Sequence, residues 1–147
     1  MNKYSGQGTF EERQTIKQTD MGETLFEQYC EGLGLKYHHT GFDSKLNPVN
    51  NFWKVHPTLR SLPDYLVEKD NSLIWCHVKG TANLKLNDLA EYSSFERSLA
   101  HDCHFYVVFC FKGQEPKFRT IKQIHDLLVG QKVKQWHDGV KYITVKL

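Results

Sequence analysis

The chain has 147 residues and a mass of 17.2 kDa, the size of one domain and too short for two. Its 39% apolar content, with nine Phe, seven Tyr and three Trp, can fill one core, while 24% charged residues and a mean hydropathy of -0.56 exclude disorder over most of the length. The net charge of +2 says little by itself, but residues 1–35 carry three Lys or Arg against six Asp or Glu, and residues 112–147 carry a basic excess of five.

No apolar run approaches the roughly 20 residues of a membrane span, and the start Met1-Asn2-Lys3-Tyr4-Ser5-Gly6 lacks the apolar centre of a secretory signal. A cytoplasmic protein without a membrane partner is expected. Cys30, Cys76, Cys103 and Cys110 form no C-x-x-C pair and lie among apolar or aromatic residues, the setting of reduced, buried thiols. A zinc site using Cys103 and His104 is the competing reading, and their adjacency disfavours it.

Residues 1–19 are polar and weakly patterned, so they read as an arm preceding a single domain over 20–147. Asp20 to Glu23 has capping-box spacing, and Leu25, Phe26, Tyr29, Cys30 and Leu33 then make one apolar helical stripe that Gly32 and Gly34 bring to a stop. Residues 35–40 read as a first strand, which places His38 and His39 on alternate faces. The stretch 41–61 holds Asn47-Pro48, Asn50-Asn51 and His56-Pro57 without periodicity and reads as a long loop, in which Phe52 and Trp53 could stack on bases or join the core.

Two apolar runs follow, Leu62 to Val67 and Leu73 to Val78, and a turn centred on Asp70-Asn71 joins them as a hairpin. A helix is expected over 87–100, then an internal strand over Phe105 to Phe111. Thr120 to Gln123 opens a short helix through Leu128 with capping-box spacing, and Val133–Trp136 and Val140–Val145 flank Asp138-Gly139 as a closing hairpin. The order expected is therefore helix, three strands, helix, strand, helix, plus that hairpin: an α/β (α+β) fold with a central mixed sheet flanked by helices.

The hairpin carries the chemistry. Its turn puts Asp64 opposite His77, and strand alternation puts His77 and Lys79 on one face, so an anion, an imidazole and an ammonium converge. Phosphodiester hydrolysis asks for this combination, because carboxylates hold a cation and a lysine stands near the attacking water or the developing charge. Asp64 is otherwise a turn carboxylate capping local backbone, and Lys79 a solvent-facing strand terminator.

Pro63-Asp64 and His77-Val78-Lys79 resemble the motif of the PD-(D/E)xK nuclease superfamily, with His77 where that family usually carries an acid. The resemblance implies a restriction-endonuclease-like core over about residues 20–129, and an endonuclease acting on DNA with Mg²⁺ or Mn²⁺. Asp64, His77 and the Val78 carbonyl would then hold the cation and Lys79 would assist water, with a further carboxylate from the first helix: Glu23 at the border of the apolar stripe, or Glu27 nearer the polar side. Imidazole suits Mn²⁺ better than Mg²⁺. His77 is equally readable as a general base, or as a satisfied polar residue in a site without metal.

Nucleic-acid contacts are expected from Lys79, Lys85, Lys117, Arg119 and Lys122, and many small members of the family act as homodimers. A nuclease scaffold that binds nucleic acid or assists assembly without cutting is the alternative. Tyr92 and Glu91 read as surface or packing residues.

Overall fold

The computed structural model describes residues 21–41 and 62–147. The expected arm at 1–19, Asp20, and nearly all of the 41–61 loop with Phe52 and Trp53 lie outside those residues.

The first helix, α1, runs Met21–Gly32 and buries Phe26 and Cys30. It ends as the glycines predict: Gly34 takes φ +67°, Leu35 N–H donates to the Cys30 carbonyl at 2.9 Å and Gly34 N–H to Glu31 at 3.1 Å, which closes the last turn. Strands β1 (Lys36–His39), β2 (Tyr65–Lys69) and β3 (Ser72–Lys79) follow, all antiparallel. The β2–β3 turn is the expected two-residue one, with Asp70 at φ +49° and Asn71 at φ +64° and Lys69 paired to Ser72.

Beyond β3 the structure adds a short strand that periodicity does not reveal, β4 (Asn83–Lys85), directly before α2 (Leu86–Arg97). The second helix therefore lies slightly earlier than the expected 87–100. Strand β5 (Cys103–Phe109) runs parallel to β3, and β6 (Lys117–Arg119), also unanticipated, pairs antiparallel to β5. Helix α3 (Ile121–Leu128) opens with the full reciprocal capping box of Thr120 and Gln123. Strands β7 (Lys134–Gln135) and β8 (Lys141–Thr144) form the closing hairpin, yet not as a free ribbon: β8 also pairs with β4.

The result is a mixed five-stranded sheet in the order β1-β2-β3-β5-β6 and a three-stranded sheet β4-β8-β7. Helix α1 covers one face of the larger sheet through Phe26, Cys30, Tyr65, Val67, Cys76, Val78, Val108 and Cys110. On the other face, α2 and α3 pack through Tyr92, Ile121 and Ile124 onto Phe105, Val107 and Phe109, with Leu84 and Val145 of the small sheet. The helix, three strands, helix, strand, helix core is thus present with β4 and β6 inserted, and both insertions are three-residue strands too short to show a period. All four cysteines are free thiols; Cys30, Cys76 and Cys110 are buried and Cys103 half-buried. Among the described residues no helix is long and apolar enough to cross a membrane.

Candidate active site

Pairing of Tyr65 with Cys76 and of Leu66 with Trp75 carries the register back to Asp64 opposite His77. Their side chains meet: Asp64 Oδ2 lies 3.6 Å from His77 Nδ1, and both are largely enclosed, at 13% and 15% side-chain exposure. Asp64 stands just outside the β2 ladder, and the same Oδ2 accepts the Val78 N–H at 2.8 Å. In an antiparallel pair a residue's N–H and C=O leave the strand on the same side, so the Val78 carbonyl opens on the β2 side of β3, as its N–H does.

The end of β1 holds Asp64 from its other side. Its carbonyl accepts the Thr40 N–H at 2.9 Å, and Thr40 Oγ1 donates to the Pro63 carbonyl at 2.8 Å. Gly41 is buried against it; a Cβ there would stand 3.4 Å from Asp64 Cα and 3.5 Å from Oδ1. These are ordinary van der Waals distances, so the chain packs closely onto Asp64 here while a methyl group at position 41 would still fit.

His77 faces α2, with its ring 4.5 Å from that of Tyr92 and 5.8 Å from Phe105. Lys79 shares the His77 face by alternation, at the last position of β3, where it pairs with Phe109 in the parallel ladder. Of the two readings given for Tyr92, surface or packing, the structure shows packing: the residue is buried, and burial first, then Asp88, Asp64 and Glu91, pushes its phenol well above the ordinary range. Its spacing from Leu89 and Phe95 was the available signal, an aromatic helical stripe.

The first-helix acids approach from the opposite face. Tyr65 of β2 donates its hydroxyl to Glu27 Oε2, and Tyr37 of β1 donates to Glu27 Oε1 at 3.3 Å and to Glu31 at 2.7 Å. Glu27, placed by helical projection nearer the polar side, is therefore in contact with the sheet. Burial raises the Tyr65 phenol above its ordinary value, helped by the Glu27 hydrogen bond and by the negative charges of Glu23, Glu27 and Asp64. Glu23 thus lies within electrostatic reach of the same phenol as Asp64.

Among the described residues no group of three or more His, Cys, Asp or Glu side chains is arranged to enclose a metal ion. Asp64 and His77 do offer two adjacent donors. That pair does not fit a closed, all-protein metal cage, but one carboxylate and one imidazole fit a divalent ion softer than Mg²⁺ that uses one or two protein donors and fills the rest of its shell with water and phosphate oxygens.

The remaining predicted residues lie elsewhere. Lys85 ends β4 on the small sheet. Lys117 and Arg119 lie on β6, separated from β3 by the whole of β5, with Lys117 Nζ 5.8 Å above the Phe111 ring and Arg119 donating to the Phe118 carbonyl at 2.9 Å. Lys122 pairs with Asp126 along α3 at 3.2 Å. His38 and His39 diverge as alternation requires: His38 bonds Glu68 at 2.9 Å, while His39 sits edge-on to the Tyr65 ring.

No protein-family model matches the chain, and no curated protein matches it. Among solved structures, the chain is similar to Hjc, a Holliday junction resolvase from the archaeal hyperthermophile Archaeoglobus fulgidus. The superposition covers 84% of this chain and 83% of that one, at 12% sequence identity and a TM-score of 0.44. A likeness that remote assigns no role to any residue here.

Proposed function

We propose that this protein is a divalent-metal-dependent nuclease that hydrolyses DNA phosphodiester bonds, with its site at the open end of the β2–β3 hairpin. The approach of Asp64 Oδ2 and His77 Nδ1 carries the reading. A carboxylate oxygen and an imidazole nitrogen at 3.6 Å can be bridged either by the ring N–H or by a cation, and the nuclease reading takes the second.

Asp64 and His77 would hold the ion, with the Val78 carbonyl beside them and water and phosphate oxygens completing the shell, because α1 sets Glu23 and Glu27 against the opposite face of the sheet, where Tyr65 and Tyr37 occupy Glu27. When bound, the ion would polarise the scissile phosphate and neutralise charge developing on it. Val78 N–H and the Thr40–Gly41 end of β1 fix Asp64 so that one carboxylate orientation is kept. Tyr92 and Phe105 hold the His77 ring from the helix side, which directs Nδ1 toward Asp64. Lys79, on the same face, supplies an ammonium that orients the attacking water and stabilises the pentavalent charge. An imidazole in place of a second carboxylate favours Mn²⁺ over Mg²⁺.

The test is cleavage of linear, nicked and branched DNA with Mn²⁺ and with Mg²⁺. The native chain is expected to cut best with Mn²⁺, and Asp64→Ala and Lys79→Ala to lose about a hundredfold or more, the scale for removing one electrostatic stabiliser. Undiminished cutting by both variants overturns the proposal.

A second reading, a nucleic-acid-binding scaffold that does not cut, draws on the tight ring packing of His77, which suits a purely structural imidazole. His77→Glu separates the two readings, since Mg²⁺-dependent cutting gained by that variant shows that only the acid was missing. Dimer formation belongs to the proposal as an expectation drawn from the resemblance, as does the single domain over 20–147.

A further inference from the structure

The small sheet has two unlike faces. Leu84, Ile143 and Val145 are buried on the inner one. By register, Asn83 pairs with Thr144, and Tyr142 lies between Lys85 and Lys134, so these five side chains share the outer face. Trp136 joins them, with its ring stacked on Tyr142 at 4.3 Å between centroids and 16° between planes. Lys134 Nζ donates to Thr144 Oγ1 at 3.3 Å, and Thr144 donates to Asn83 Oδ1 at 2.7 Å, which holds the ammonium on this face rather than trailing into solvent.

The hairpin that carries the stack is built to project it. Trp136 N–H donates to the Val140 carbonyl and Gly139 N–H back to Trp136, each at 3.0 Å, with Gly139 at φ +87°. Lys134 and Lys85 are the lysines that register places on this face, whereas Lys141, next to Tyr142, falls on the other. A basic surface with an aromatic stack, unlike a merely solvated basic one, matches the two parts of an unpaired strand: phosphates for the ammonium groups and base faces for the rings. Duplex DNA buries its base faces and leaves the stack without a partner.

We infer that the outer face of this sheet binds single-stranded DNA, a base extending the Trp136–Tyr142 stack while Lys134 and Lys85 hold the flanking phosphates. Strand β3 ends at Lys79 and β4 begins at Asn83, so a short stretch of chain joins this sheet to the candidate active site. The inference rests on the reading of the chain as a protein that acts on DNA, and it assigns that site an unpaired or branched segment as substrate.

The test is fluorescence anisotropy of a labelled oligothymidylate of about ten nucleotides, with an equally long blunt duplex as comparison, on the full chain in EDTA so that hydrolysis plays no part. The oligothymidylate is expected to bind more tightly than the duplex. Trp136→Ala should weaken it about tenfold and Trp136→Phe restore binding to within about twofold, the range for one stacked base. Lys134→Gln should lower the slope of log affinity against log salt by about 0.7, with the helical circular-dichroism signal unchanged. Preference for the duplex, or equal affinity in the native chain, Trp136→Ala and Lys134→Gln, overturns the inference. Should the oligothymidylate bind as described while no DNA is cut with Mn²⁺, the hydrolytic reading fails and this surface stands; Asp64-dependent cutting without these binding effects has the opposite meaning.

Discussion

Tyr65 joins three parts of the molecule through one side chain. Its ring is fully buried beside Phe26 of α1, with centroids 5.0 Å apart, and its hydroxyl is the donor that ties Glu27 to the sheet. Removing that hydroxyl leaves a half-buried carboxylate without its shielded donor, so Tyr65→Phe is expected to cost about 1.5–3 kcal/mol, the range for a hydrogen bond to a charged group. Tyr37→Phe also removes donation to Glu27 and Glu31, but on a more exposed edge where water substitutes, and should cost below about 1 kcal/mol. Urea unfolding of both variants checks the order. Equal costs would show that burial of the Tyr65 hydroxyl plays no part. None of this could be read from the chain, because a Tyr–Glu contact across 38 positions leaves no local pattern.

At the scale of the element, the β2–β3 hairpin sets the site, and its two-residue turn sets the hairpin. Asp70 and Asn71 both occupy left-handed backbone, which costs an L-residue energy that glycine avoids. Asn71→Gly should therefore stabilise the protein by about 0.5–1 kcal/mol, as judged by the urea midpoint, and leave the proposed Mn²⁺-dependent cleavage unchanged. Inserting one residue after Asp70 should do the reverse. A one-residue slip moves every β3 side chain to the other face and separates His77 from Asp64, and so should abolish the proposed cleavage. Retained cutting would detach the chemistry from this register. The hairpin was legible in sequence because its turn and its alternating apolar pattern are local. Strands β4 and β6 were not legible, since each spans three residues and exists only because β8 or β5 offers it a ladder.

For the molecule as a whole, alkaline titration bears on the α1 face of the sheet, where Cys30 and Cys76 are buried together beside the raised Tyr65 phenol, and the thiols are the first of these groups to titrate in the unfolded chain. Burial, then the charges of Glu27 and Glu31, pushes the Cys30 thiol from 9.0 up to about 11, and burial raises Cys76 further. A thiol whose affinity for its proton is higher in the folded state keeps that proton after the unfolded chain has lost it. The stability this group contributes is complete below about pH 9 and falls as pH rises from 9.0 through about 11, with Cys76 extending the loss to higher pH. Urea midpoints across this alkaline range should decline, and Cys30→Ala should flatten the first part of that decline. A midpoint that stays constant for the native chain would mean the thiols remain accessible to water.

Local signals in the sequence determined the helices, the β2–β3 hairpin and the pairing of Asp64 with His77, since turn chemistry, capping spacing and alternation act between near neighbours. The resemblance of Pro63-Asp64 and His77-Val78-Lys79 to a nuclease motif was legible for the same reason. Tertiary structure alone decided what surrounds them: Tyr92 against His77, Gly41 against Asp64, Glu27 under Tyr65, and the closing hairpin's capture of β4. Those contacts join segments far apart in the chain, and they form only when burying both faces of one sheet offsets the entropy lost in bringing such segments together.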